Sequence, residues 1–328
     1  NGITNKNAIF VLSSTKIVSR EVLIPFVPDK KIPGIINANA TEYFPVNIED
    51  YVISHSVLET VIGEDGAKNR RVLVVAVPQQ MIRTYYEVAS VAGLTVQSID
   101  YMGNAMLQMI KTQTAENATT MVVQIGSEAT ILNIVRGDTL LLQRTVPYGI
   151  NAVVAEVMEE KEVDAATALS MLQTERMITV DFDDDAITGA FRYLINNIGR
   201  VMDYYTSRNP DKPIDDVYLS GDGALIRGVD GLFKIQLNIS TKVMDSLYNV
   251  KFDDKINTQI CNPVYLIGSI GAAMAPMGFV LKEMAAKKAS QGTTAIFVAI
   301  LVVAILVTIG GSAISIIQKM AAKAEKAK

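Results

Sequence analysis

Two short glycine-bearing stretches carry the residues of this chain that could do chemistry. The first, "TTMVVQIGSEATILNIVRGDTLLLQRTVPYG" over residues 119–149, places two apolar runs about Gly126 and a third after Gly137. Strand–glycine–strand turns of this kind can hold a phosphate on backbone N–H groups, because glycine permits close approach and positive φ. Gln124, Gly126, Ser127 and Thr130 are the candidates there. The second, "DDVYLSGDGALIRGVDGLFK" over residues 215–234, reads as a strand, the loop Gly221-Asp222-Gly223 and a helix. That helix would aim its N-terminus at an anion. Each loop alone reads more readily as an ordinary tight turn; together they are the parts from which a nucleotide cleft can be built.

Hydrolysis asks for more: a metal held through a carboxylate and a group that orients water. At the first loop the place for that acid is taken by Gln124, a neutral amide. Asp222 would repel phosphate unless a metal intervened, and it reads better as a cap on the following helix. His55 falls in a strand as a partly exposed residue, and Cys261 beside Asn262-Pro263 reads as packing. No Ser/His/Asp or Cys/His arrangement can be assembled, so neither a catalytic residue nor a metal site is expected.

The elements that would position these loops follow from periodicity. Strands are expected over 8–12, 16–25, 51–59, 71–77 and 95–98, with helices over 30–43 and 79–92. This β-β-α-β-β-α-β text describes one small α/β module. Beyond the hairpin, helices are expected over 151–174, with an acidic solvated face, and over 184–208. The latter carries one apolar stripe through Ile187, Phe191, Leu194, Ile195, Ile198, Val201, Met202 and Tyr205. A closing helix over 262–274 would carry Gly268 and Gly271 on one face.

Bulk properties narrow the function classes. The chain has 328 residues, a net charge of −4, one cysteine and one histidine. An internal disulfide is excluded, a Cys/His zinc site is disfavoured, and no electrostatic case for nucleic acid exists. Cysteine usage suits a reducing compartment. The mean hydropathy of +0.26 is high, and part of it comes from "TTAIFVAILVVAILVTIGGSAISII" at 293–317, long enough to span a bilayer. Lys282, Lys287 and Lys288 before it and Lys319, Lys323, Lys326 and Lys328 after it leave orientation undecided by charge. With no signal peptide in view, the body is expected in the cytoplasm. The polar opening at Asn1 suggests that a natural N-terminal part precedes it.

The order of motifs resembles that of the type IV pilus assembly protein PilM family. "RRVLVVAVPQQMIRTYYEVASVAGLTVQSID" (70–100) is similar to that family's strand, Ala-x-Pro, helix, Ala-Gly-Leu, strand, Asp block. "EYFPVNIEDYVISHSVLE" (42–59), the two glycine loops and "CNPVYLIGSIGAAM" (261–274) follow in the family's order. The resemblance implies an α/β, actin-like ATPase (ribonuclease-H-like) fold related to FtsA, with an inserted small subdomain. Residues 1–100 would form the first half and that insertion, without the first phosphate hairpin, and 101–280 the second half. A linker over 281–292, a transmembrane helix over 293–318 and the start of an extracytoplasmic region over 319–328 would follow. ATP is the cofactor the resemblance places at Gln124, Gly126, Ser127, Thr130, Gly221, Asp222 and Gly223. The missing hairpin, Gln124 and Gly-Asp-Gly are departures that put hydrolysis in doubt. The span is a further departure, since PilM proteins are peripheral and held by single-span PilN; here the two look fused. The implied role is a membrane-anchored scaffold at the bacterial plasma membrane. Its partners would be PilN/PilO-like platform proteins and motor ATPases, with self-association a further expectation. A nucleotide-cycling ATPase and an FtsA-like division anchor are the alternatives.

Overall fold

The computed structural model describes residues 4–63, 66–248, 250–251, 263–281 and 283–284. Asn1–Phe279 form one compact unit and Val280–Lys328 a second; the architecture below belongs to the first. The expected span at 293–317 lies outside the described residues, and among those described no helix is long and apolar enough to cross a membrane.

Strand β1 (Asn7–Leu12) pairs in parallel with β5 (Thr95–Tyr101). Between them in sequence lies the small subdomain: β2 (Val18–Pro25), α1 (Ile32–Ala38), α2 (Ala40–Tyr43), β3 (Tyr51–Ile62), β4 (Lys68–Pro78) and α3 (Gln79–Val91). Its antiparallel sheet runs β2-β4-β3. The run Val72–Val77 on the central strand is buried throughout, as expected of a strand covered on both faces. Val72, Val74 and Ala76 pack with Ile24, Ile32, Ile36 and Phe44 in one core. The helix expected over 30–43 is interrupted at Asn39, which separates α1 from α2.

Helix α4 (Met102–Ile110) follows β5 and has no counterpart in the sequence-based reading. Seven of its nine residues are buried, and it starts without a side-chain cap and with Gly103 in its first turn, so the usual signals of a helix start are missing. Against it lies α10 (Ile267–Met274). A Cβ on Gly271 would come within 1.8 Å of the Ala105 carbonyl oxygen, and one on Gly268 within 2.8 Å of Met102 Sδ. The two glycines expected on one face do face one neighbour, and their bareness is what lets the helices approach.

The second half is a five-stranded sheet ordered β10-β9-β6-β7-β8. Strands β6 (Thr119–Ile125), β7 (Thr130–Arg136) and β8 (Thr139–Val146) form an antiparallel meander. Strand β9 (Asp216–Ser220) then pairs in parallel with β6, and β10 (Thr241–Val243) with β9. Three antiparallel strands continued by two parallel ones is the ribonuclease-H-like order. The connection to β9 is made by α5 (Asn151–Lys161), α6 (Ala165–Thr174), α7 (Ala186–Gly189) and α8 (Arg192–Arg208); α9 (Val229–Leu237) leads to β10.

Two helices expected to be continuous are therefore split. Glu162 adopts φ 54°, and Asp164 then caps α6 by accepting from Ala166 and Thr167 N–H at 2.9 and 3.0 Å. Asp185 likewise caps α7, accepting from Thr188 N–H at 2.7 Å. The apolar stripe of α8 is as expected, with Leu194, Ile195, Ile198 and Tyr205 buried.

The small subdomain is fastened to the second half by Arg71 of β4. Its guanidinium bridges Glu21 of β2 and Glu59 of β3, each at 2.8 Å, and donates to the Leu140 and Leu141 carbonyls of β8. Glu21 in turn accepts from Gln143 N–H at 3.1 Å. Strand β8 is a sheet edge, and this ion-pair cluster satisfies backbone groups that an edge leaves bare.

Candidate functional site

Strands β6 and β9 are parallel neighbours, and the two glycine loops leave their C-terminal ends side by side. Gln124 and Ser220 stand opposite each other in the register. Ligands of open α/β sheets bind outside such strand ends. The loops are in close contact: a Cβ on Gly221 would lie 2.6 Å from the Ile125 oxygen and 2.9 Å from Gln124 Nε2, and one on Gly223 2.4 Å from Ile125 Cγ2. A third segment closes on them, since a Cβ on Gly149 would lie 2.3 Å from the Gly126 oxygen. The structure thus gathers Gln124, Gly126, Ser127, Thr130, Gly221, Asp222 and Gly223 in one place and adds Gly149.

Several polar groups of the first loop are engaged within the fold, one of its amides among them. Gly126 N–H donates to Ala129 O at 3.0 Å, closing the hairpin, and its carbonyl accepts from Ile150 N–H at 3.0 Å. The Ser127 carbonyl accepts from Asn151 N–H at 3.0 Å. Thr130 is buried, and its hydroxyl donates to the Tyr148 carbonyl at 2.8 Å. The amides entering α5, the natural seat for an anion, therefore face loop carbonyls. Gly126 itself does not adopt a positive φ; a Cβ there would press within 2.9 Å of Ala129 O.

The second loop differs. Gly221 has φ 81° and ψ −176°, a region open essentially to glycine alone. Asp222 is not a helix cap, contrary to expectation. It begins a 3-10 turn, Asp222–Leu225, with no side-chain cap, and α9 starts only at Val229 behind Gly228 at φ 91°. No helix N-terminus follows Gly223 directly. Burial pushes the Asp222 carboxyl above its ordinary pKa. Beside it, Gln124 Oε1 and Ser220 Oγ are buried without a hydrogen-bond partner, an uncommon condition for interior polar atoms. Among the described residues no cluster of three or more His, Cys, Asp or Glu could hold a metal. An amide and a hydroxyl can orient a ligand; neither supplies the charge that would fix one.

His55 is a partly buried residue of β3, where burial lowers its pKa against the opposing effect of Asp29. Cys261 lies outside the described residues. Missed by sequence reasoning is the fastening built on Asp100. This buried carboxylate accepts from Asn104 Nδ2 at 2.9 Å and Met277 N–H at 3.2 Å, while Asn104 also donates to Ala275 O at 2.9 Å. Its aspartate was visible in the Ala-Gly-Leu…Asp block, but the partner segment lies 177 positions away.

The profile of the family "Type IV pilus assembly protein PilM" matches residues 1–275. The chain belongs to the PilM family. Among solved structures, a PilM-PilN type IV pilus biogenesis complex is similar at 21% identity and a TM-score of 0.70, covering 83% of this chain and 80% of that one. The arrangement is thus the actin-like fold that the motifs implied. MreB 5 of Spiroplasma citri bound to AMPPNP is similar at 12% identity, TM-score 0.41, over 66% and 68% of the two chains. EutJ from Carboxydothermus hydrogenoformans is similar at 17% identity, TM-score 0.35, over 48% and 53%. Neither of these two distant likenesses bears on the PilM assignment. No curated protein matches the chain.

Proposed function

We propose that this PilM-family chain is a non-enzymatic scaffold of a type IV pilus, or related secretion, assembly platform at the bacterial plasma membrane. The observation that carries the non-enzymatic part is the engagement of Gly126, Ser127 and Thr130 within the fold, with Gln124 where an acid would hold a metal. Residues 293–317 supply the anchor, a PilN-like segment joined covalently to the body. Attachment within one chain replaces a binding step and raises the effective concentration of the body at the platform. PilN/PilO-like proteins are the platform partners, and motor ATPases the cytoplasmic ones.

Deleting the gene is expected to abolish pili and twitching, or secretion. Removing 293–317 is expected to make the protein extractable from membranes at alkaline pH. A deletion strain with normal pili and secretion would overturn the reading. A second reading, retained nucleotide binding with cycling, is favoured by the unpartnered Gln124 Oε1 and Ser220 Oγ at the strand ends. Magnesium-dependent turnover that vanishes on altering the Gly126 loop would establish it.

A further inference from the structure

A second concave surface lies where the small subdomain meets the second half, away from the glycine loops. Cavities of about 720, 290 and 290 Å³ adjoin one another at Arg144 of β8, which lines all three, and together outline a groove. One wall is an exposed stripe along α8. Asn197, Arg200, Tyr204 and Arg208 recur at spacings of three, four and four, which places them on one helical face. The opposite wall is β2, which contributes Arg20.

Cations dominate the groove although the chain as a whole carries −4. Arg71 is offset by Glu21, which also lines the groove, and by Glu59, so that cluster carries one net negative charge. Arg20, Arg200 and Arg208 have no carboxylate partner among the described residues, and Arg144 bonds only the Gln143 carbonyl, at 2.7 Å. Two of the arginines flank one ring: the guanidinium carbons of Arg208 and Arg144 lie 4.1 and 5.7 Å from the Tyr204 centroid. Tyr204 is 44% exposed, so the aromatic platform holds both cations at the surface. Uncompensated guanidiniums fixed in this way match carboxylates in bidentate geometry.

The spacing decides the form of the anion. Arg200 and Arg208 are separated by about 12 Å along the axis, more than a single phosphate or carboxylate bridges, and the stripe from Asn197 to Arg208 is about 16 Å long. An extended segment of about five residues covers that length. The floor suits a peptide: Gln143 N–H points outward to Glu21, so by alternation Thr145 is the next outward-facing residue of the edge strand. We infer that this groove docks an acidic, extended segment of a partner protein, its carboxylates read by Arg20, Arg144, Arg200 and Arg208. The inference does not depend on the pilus assignment.

The test uses the full chain in neutral detergent and a fluorescein-labelled peptide of four Glu-Glu-Leu repeats, followed by anisotropy. Binding is expected to weaken by about tenfold in R200E/R208E and again in about 0.5 M salt. It should be unchanged in K234E/K242E, which alters net charge equally at α9 and β10. Thermal melts that match the wild type keep a loss of binding from being a loss of fold. Absence of binding in the wild type, or equal loss in both variants, overturns the proposal. So does displacement of the peptide by inorganic phosphate, or tighter binding of an oligothymidine of equal length. Self-association that disappears in R200E/R208E would assign the groove to a second copy instead, and also overturns it.

Discussion

The two glycine loops are neighbours in space and opposites in construction. In the loop at Gly126 the glycine N–H and C=O, the Ser127 carbonyl and the Thr130 hydroxyl all bond the fold's own backbone. In the loop at Gly221 the backbone takes a conformation reserved for glycine, the Asp222 carboxylate has no hydrogen bond among the described residues, and Ser220 Oγ and Gln124 Oε1 stand unsatisfied beside it. One loop has become a structural clasp; the other keeps an unfinished polar floor. A glycine pattern alone therefore does not report phosphate binding: what matters is whether the loop's amides are left for a ligand.

The packing of the two loops is most sensitive at Gly221. G221A places a side chain at φ 81° and ψ −176° and against the Ile125 carbonyl. A loss of roughly 4 kcal/mol, backbone strain and overpacking together, is expected in denaturant unfolding. G149A should follow at about 3 kcal/mol, because its Cβ meets the backbone of Gly126 and Ser127 at 2.3–2.5 Å. If either is tolerated without loss, the loops are not held together as described.

Smaller changes separate clasp from floor. T130V leaves the Tyr148 carbonyl without its donor and should cost about 1 kcal/mol by the same measurement. D222N should act in the opposite direction. The Asp222 carboxyl is raised by burial, so its contribution is most favourable below the unfolded-state pKa and is lost as pH rises through the folded-state value. Replacing it is expected to raise the melting temperature at pH 7 and to leave it unchanged at pH 3. A D222N chain less stable than the wild type at pH 7 would mean that the carboxylate has a partner the account lacks.

Much of this architecture was legible because it rests on local patterns. Strands β3, β4 and β5 show in alternation and apolar runs, α3 in its stripe and the stop at Gly93, and both glycine loops in their spacing. Helix α4 was not legible, since it is short, has no side-chain cap and carries Gly103 in its first turn. The break at Glu162 was hidden as well, because an ordinary residue there adopts φ 54°. The Asp222 cap failed for a related reason: a 3-10 turn and Gly228 intervene before α9. The clamp of Arg71 on Glu21, Glu59 and the β8 carbonyls joins positions 12 to 70 apart. No local signal encodes such a cluster. Within the site, residue types were readable, whereas the engagement of the Gly126 amide was not, because it depends on where the chain returns at Gly149 and Ile150.

The proposed scaffold role rests on the Gly126 loop acting as a clasp. Its most direct test is magnesium-dependent ATP turnover by the full chain, measured beside a G126A variant. The account predicts no turnover above background in either protein, together with a lower melting temperature for G126A. Turnover in the wild type that is lost in G126A would contradict it.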